Sequence, residues 1–201
     1  MVGGQSPRSL GIVTIRRLGL FGGTFDPPHF GHVAALEAAA RTNIFDLIEV
    51  TVAGDPYLKS AQVAVHPAEL RLAMAELAFG GLELVEVSDR EIKRSGPSYT
   101  IDTVRELLEV ADDVDVIVGA DLAQQIDTWH DAEILRTLVR VGVVPRPGGS
   151  NIVPEGWYSY EIPMDPVDLS SSFIREVPAT LENLRKFIPA SVIPLYQSSR
   201  G

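Results

Sequence analysis

The 201-residue sequence contains no cysteine. Disulfides, thiolate nucleophiles, zinc–thiolate sites and iron–sulfur clusters are thereby excluded, and any chemistry falls to oxygen and nitrogen groups. Basic residues are few: 17 Lys and Arg against 27 Asp and Glu give a net charge of −10. That balance argues against an extended basic face for a nucleic-acid polymer or an anionic membrane, so a site for an anion must be local. No apolar run approaches the roughly 18–20 residues of a membrane span. The first fifteen residues lack the basic-then-apolar layout of a secretory signal, which leaves a cytoplasmic location as the expectation. Internal repeats and low-complexity tracts are also missing.

What is present is ordinary for a globular chain, with 45% hydrophobic and 22% charged residues, and suits one domain with a sizeable core. Residues 1–15 read as a flexible extension and 16–201 as a single domain, divided into an α/β core over 16–146 and a loop with C-terminal helices over 147–201. Strand candidates are 17–23, 47–53, 82–87, 114–120 and 140–146. They alternate with helical patterns at 31–43, 67–79, 99–110 and 129–139. Such alternation implies right-handed crossovers and a Rossmann-like, doubly wound parallel sheet covered on both faces. Ligands of open parallel sheets lie beyond the carboxyl ends of the strands, where strand order reverses. The loops to watch are therefore 22–32, 53–60, 88–100, 119–122 and 145–149. Met74, Leu77 and Phe79 are expected in the core, and His66 and His130 in structural roles.

The segment from Gly22 to His32, GGTFDPPHFGH, concentrates the chemistry. Gly22 and Gly23 allow a sharp turn and close approach of a ligand to the backbone. Asp26, Pro27 and Pro28 fix a rigid turn. His29 and His32 lie three residues apart at the start of a helix, whose free N–H groups and dipole favour a phosphate. No Gly-x-Gly-x-x-Gly or Gly-x-x-x-x-Gly-Lys-Ser/Thr motif competes.

This segment resembles the signature of the His-x-Gly-His nucleotidyltransferase superfamily. With Gly96–Thr103, Gly119-Ala120-Asp121, Thr128-Trp129, Pro145–Gly148 and Ser170–Arg175 in the same order, the chain is similar to the bacterial nicotinate-mononucleotide adenylyltransferase family over about residues 17–196. Two positions depart from the family pattern. Ser172 stands where a threonine is usual, and the loop after the second strand reads Asp55-Pro56-Tyr57-Leu58-Lys59.

The resemblance implies adenylyl transfer from ATP to nicotinate mononucleotide, with Mg²⁺ bridging phosphates and held mainly by phosphate oxygens and water rather than by protein ligands. It implies that His29, His32 and Arg175 act at the reacting phosphates. Gly22, Gly23, Thr24, Phe25, Gly119, Asp121, Ser171 and Ser172 would join His32 and Arg175 in holding ATP. Lys59, Tyr99, Thr100, Trp129 and Arg146 would hold the mononucleotide, with Trp129 stacking on the pyridine ring and the Tyr99 and Thr100 main chain meeting its carboxylate. Asp121 can equally be a helix N-cap, Trp129 a hydrophobic anchor, and Lys59 and Arg146 solvated charges. The same pattern leaves open a related acceptor (nicotinamide mononucleotide or phosphopantetheine), cytidylyl transfer from CTP, and a non-catalytic nucleotide-binding paralogue. A tRNA-synthetase-like fragment fits poorly, for the chain lacks a Lys-Met-Ser-Lys-Ser-like loop and its net charge is wrong for tRNA. Expected partners are ATP and the mononucleotide, without nucleic-acid polymer or membrane; assembly into a homo-oligomer is left open.

Overall fold

A computed structural model describes residues 14–55, 65–148 and 153–200. In chain order its elements are β1 (Ile15–Gly23), α1 (Phe30–Arg41), β2 (Leu47–Val52), α2 (Ala68–Phe79), β3 (Val85–Ser88), α3 (Arg90–Lys93), α4 (Thr100–Leu107), β4 (Ala111–Gly119), α5 (Ala120–Ala123), α6 (Ala132–Leu138), β5 (Val139–Val144), β6 (Ser159–Glu161), α7 (Ser171–Glu176), α8 (Leu181–Leu184) and α9 (Ile193–Ser198). Of the expected N-terminal extension, residues 1–13 lie outside the described residues, and Ile15 already begins β1.

The six strands form one sheet in the order β3-β2-β1-β4-β5-β6, every pair parallel. The chain winds outward from β1 to β3, returns to lay β4 on the other side of β1, and winds outward again, so the reversal falls between β1 and β4. The pleat assigns alternate residues to opposite faces. On one face Leu18, Leu20, Val114, Val116 and Val118 pack with Ile101, Val104 and Leu107 of α4 and Leu135 of α6. On the other, Phe21, Ile48, Val50 and Ile117 pack with Leu36 and Ala39 of α1 and Ala75 and Phe79 of α2. A third cluster joins Met74 of α2 to Ile174, Leu184, Ile188, Val192 and Tyr196, so the C-terminal helices sit against α2. Among the described residues no helix is long and apolar enough to cross a membrane.

Several element boundaries differ from the sequence expectation. The run 82–87 is strand only from Val85, because Gly80–Leu84 turns and Leu84 takes φ +60°. The helix expected over 129–139 begins at Ala132, after a short 3-10 turn at Ile126–Thr128. Strand β6 carried no periodicity signal; it is three residues long at the sheet edge. Met74 and Phe79 are core as expected, but Leu77 is exposed at 47%, on the outer face of α2.

Candidate functional site at the strand reversal

The Gly22–His32 segment leaves β1 at the reversal, and its conformation is set by one aromatic side chain. Phe25 has φ +50° and is buried, a backbone state that non-glycine residues adopt only when packing holds them there. Its ring lies where a Cβ on Gly23 would approach to 2.7 Å, so Gly23 must be glycine. The ring packs edge-on against His32, 5.1 Å between centroids, and against Phe79 at 5.4 Å. The Phe25 ring therefore packs against His32 as its support and lines neither of the two cavities at this edge of the sheet.

His29 caps the start of α1, and the two histidine rings stack 3.6 Å apart, inclined by 22°. The His29 N–H donates to His32 Nδ1 at 3.2 Å. A ring nitrogen that accepts carries no proton, so the neutral His32 bears its hydrogen on Nε2, as a donor. His29 is 1% exposed, and its Nδ1 finds no hydrogen-bond partner among the described residues. Burial, reinforced by the Arg146 charge, holds the His29 ring down at about 3, far below its ordinary 6.5. It is a neutral group at physiological pH, and among the described residues Arg146 and Arg175 bring positive charge to this edge.

The sign of that shift gives a first prediction. Between pH 6.5 and about 3 the unfolded chain binds a proton at His29 that the folded chain refuses, so this residue's contribution to stability declines as pH falls. At pH 5 the loss amounts to about 2 kcal/mol relative to pH 7 or above. In urea titrations His29→Asn, which keeps a capping residue, should narrow its stability gap to the wild-type protein by that amount between pH 7 and pH 5. Parallel pH profiles would contradict the assignment.

Arg175 of α7 reaches the same loop. Its Nη1 donates to the Asp26 carbonyl at 2.6 Å and its Nη2 to Ser172 Oγ at 3.1 Å, while Ser171 Oγ donates to the Pro27 carbonyl at 2.9 Å. Ser170, which the sequence did not single out for this role, caps α7 by accepting from the Phe173 N–H.

Two cavities open on opposite faces of the sheet at this edge, following the pleat. One, about 330 Å³, is lined by Gly22, Gly23, Thr24, Glu91, Ser98, Thr100, Val118 and Trp129 among others. The other, about 30 Å³, is bordered by Phe21, Gly31, His32, Gly119, Arg146, Met164 and Val167. This geometry regroups the expected residues. Gly22, Gly23 and Thr24, expected beside ATP, share the larger cavity with Thr100 and Trp129. Arg146, expected beside the mononucleotide, shares the smaller one with His32 and Gly119, and its Nη1 donates to the Leu169 carbonyl at 2.8 Å. Asp121 is not the N-cap of α5, a position that Gly119 holds; its exposed carboxylate lies 3.9 Å from Arg146 Nε. The Trp129 indole N–H is buried without a partner among the described residues. Tyr99 caps α4 and stacks on His130 at 4.0 Å. Lys59 lies outside the described residues.

Three residues not singled out as functional complete the surroundings. Asp26 is fully buried and binds His66, whose Nδ1 is 2.5 Å from Asp26 Oδ1 and whose N–H donates to Oδ2 at 3.1 Å. Arg71, 1% exposed, donates to the carbonyls of His66, Thr24 and Gly54. Glu91 is buried and accepts from Thr103 Oγ1 at 2.7 Å. A glutamate in a charged stretch and an arginine within PAELRLAMAEL read locally as surface residues; no signal in their own segments marked them. Among the described residues no three His, Asp or Glu side chains are grouped to hold a metal.

The cytidylyltransferase-like family profile matches residues 20–177. A protein of Geobacillus thermodenitrificans named "Probable nicotinate-nucleotide adenylyltransferase" is 35% identical over 188 residues, 92% of this chain and 85% of the relative. One of the same name from Albidiferax ferrireducens is 40% identical over 134 residues, covering 66% and 67% of the two chains. In structure, the chain superposes on Plasmodium falciparum nicotinic acid mononucleotide adenylyltransferase complexed with NaAD with a TM-score of 0.76 at 19% identity, covering 92% of this chain and 96% of that one.

Proposed function

The chain belongs to the nicotinate-nucleotide adenylyltransferase family, and on that footing we propose that it transfers the adenylyl group of ATP to nicotinate mononucleotide, a step of NAD biosynthesis. The observation that carries the reading is the stacked His29–His32 pair at the strand reversal, with one cavity bordered by His32 and Arg146 and a second, lined by Gly22, Gly23 and Trp129, at the same edge of the sheet.

In the proposed reaction a 5′-phosphate oxygen of the mononucleotide attacks the α-phosphorus of ATP. The new P–O bond forms as the bond to the bridging oxygen of the β-phosphate breaks, and pyrophosphate leaves. The attacking oxygen is already anionic at neutral pH, so no enzyme nucleophile is required. The chain's task is to align two anions and to stabilise charge growing on the leaving group. His32 Nε2–H would be the donor to the reacting phosphate, with the His29 ring stacked on it and holding its orientation. Arg175, Ser171 and Ser172 suit the β- and γ-phosphates, with a planar guanidinium matched to paired oxygens. Gly119, Asp121 and Arg146 are placed on the nucleoside side, where a carboxylate accepts from ribose hydroxyls. Mg²⁺, entering as the ATP complex, would neutralise phosphate charge; the chain's cations and donors at this edge fit an ion carried by the nucleotide.

The larger cavity is proposed for the mononucleotide. Its volume lies in the range of small-ligand sites, Trp129 offers an aromatic face, and Thr100 begins α4, whose N-terminus suits the nicotinate carboxylate. Label transfer tests the chemistry: with ATP labelled at the α-phosphate, Mg²⁺ and nicotinate mononucleotide, label should appear in a dinucleotide, and its retention in ATP would overturn the proposal. Trp129→Ala should raise KM for the mononucleotide about tenfold, the order of one lost stacking contact, with KM for ATP near normal. An equal rise in both would show that Trp129 is a structural anchor.

A further inference from the structure

Glu91 sits where three segments of the larger cavity's wall meet, and donor counting fixes its role. Ser98 Oγ accepts from the Gly54 N–H at 3.0 Å and from the Asp55 N–H at 3.3 Å. A hydroxyl has two lone pairs and one proton; with both lone pairs engaged, the Ser98 proton goes to Glu91, to which it is hydrogen bonded. Thr103 Oγ1 receives Arg94 Nη2 at 3.1 Å and passes its own proton to Glu91 Oε1 at 2.7 Å. Two hydroxyls therefore donate to one side chain, and Ser98, with both lone pairs engaged, can do nothing else. An ionised carboxylate, an acceptor with no proton of its own, is suited to both.

The two N–H groups held by Ser98 belong to the chain leaving β2. The Ser98 N–H returns a bond to the Asp55 carbonyl at 3.0 Å, and Arg71 Nη2 holds the Gly54 carbonyl at 3.3 Å. A Cβ on Gly54 would run into the Glu91 carbonyl, so glycine lets the backbone lie directly on α3. Ser98 immediately precedes Tyr99 and Thr100, the start of α4.

We propose that Glu91 is a positioning residue for mononucleotide binding: through the Ser98 hydroxyl it latches Gly54 and Asp55, where the chain leaves β2, to the N-terminus of α4 and so fixes this part of the larger cavity's wall. Burial pushes the Glu91 carboxyl up from its ordinary range, opposed by the Thr103 and Ser98 bonds and by Arg94. The carboxylate is held there against a desolvation cost, which an incidental surface glutamate does not meet.

The inference rests on the nicotinate mononucleotide reading of the larger cavity, and its test separates the two. Glu91→Gln leaves side-chain N–H groups facing donors, and Ser98→Ala removes the hydroxyl that receives the two amides. Each variant is expected to raise KM and the equilibrium Kd for nicotinate mononucleotide about fivefold or more, the scale of one lost hydrogen bond, with kcat and the KM for ATP within about twofold. The double variant should be no worse than Ser98→Ala alone, because both act through one hydroxyl. In the free protein, both should speed amide hydrogen exchange at Gly54 and Asp55. Unchanged exchange overturns the latch. Faster exchange with unchanged mononucleotide affinity, or with equal loss for ATP, overturns the positioning role. A wild-type protein that binds no mononucleotide, yet loses protection at 54 and 55 in the variants, overturns the substrate reading and with it the assigned purpose of an intact latch.

Discussion

Replacing His32 with alanine is expected to lower kcat by about 10²–10³-fold, the usual cost of removing one preorganised donor aimed at developing charge. The ring is fixed on every side: Phe25 and Phe79 present their edges, His29 stacks on it, and the His29 N–H occupies Nδ1. That leaves Nε2–H with a set direction, and a donor already in place costs no reorganisation when the phosphate reacts. Alanine also removes the acceptor for the His29 N–H and some packing beneath α1, so a stability loss on the order of 1 kcal/mol accompanies it. His32→Gln separates the effects. Glutamine at the third helical position can accept the N-cap N–H as in a capping box, so stability should be largely restored while kcat stays low. Recovery of kcat along with stability would mean that His32 serves the fold alone.

The second large effect concerns stability. Arg71→Met should destabilise the protein by about 3–5 kcal/mol, the range for removing one partner of a buried charged network, and lower Tm by roughly 6–20 °C for a chain of this size. The guanidinium is the single donor group that joins the carbonyls of Thr24, Gly54 and His66, and it sits near the buried Asp26 carboxylate, whose charge favours it while burial opposes it. Methionine fills the volume but leaves three carbonyls without this donor. Since those carbonyls belong to the loops after β1 and β2 and to the approach to α2, residual activity should fall with the fold. Thermal unfolding checks it; a variant within about 1 kcal/mol of wild type, the range of an ordinary surface substitution, would show that solvent replaces the arginine.

Sequence and structure agree or part along physical lines. Alternating strand and helix patterns made the parallel α/β sheet legible, and a glycine pair, an Asp-Pro turn and two histidines before a helix located the site. These are short-range signals. The division of the site between two faces was not legible, because it depends on the pleat and register that put Leu20 and Gly22 on one side and Phe21 on the other. Arg146 was accordingly expected with Trp129, from which the sheet separates it. Arg71 and Glu91 escaped for a related reason: each is bound to backbone or side chains 12–47 residues away in sequence, and a charged residue in a helical segment gives no local sign that it will be buried. Leu77 errs the other way, an apolar residue at helical spacing that the C-terminal helices leave exposed.

The central claim is the identity of the acceptor, and pyrophosphate release measures it most directly. Purified protein with ATP and Mg²⁺ should release pyrophosphate on addition of nicotinate mononucleotide, faster than with nicotinamide mononucleotide at equal concentration, because the carboxylate complements the start of α4. Release with neither mononucleotide, or with phosphopantetheine alone, would contradict the account.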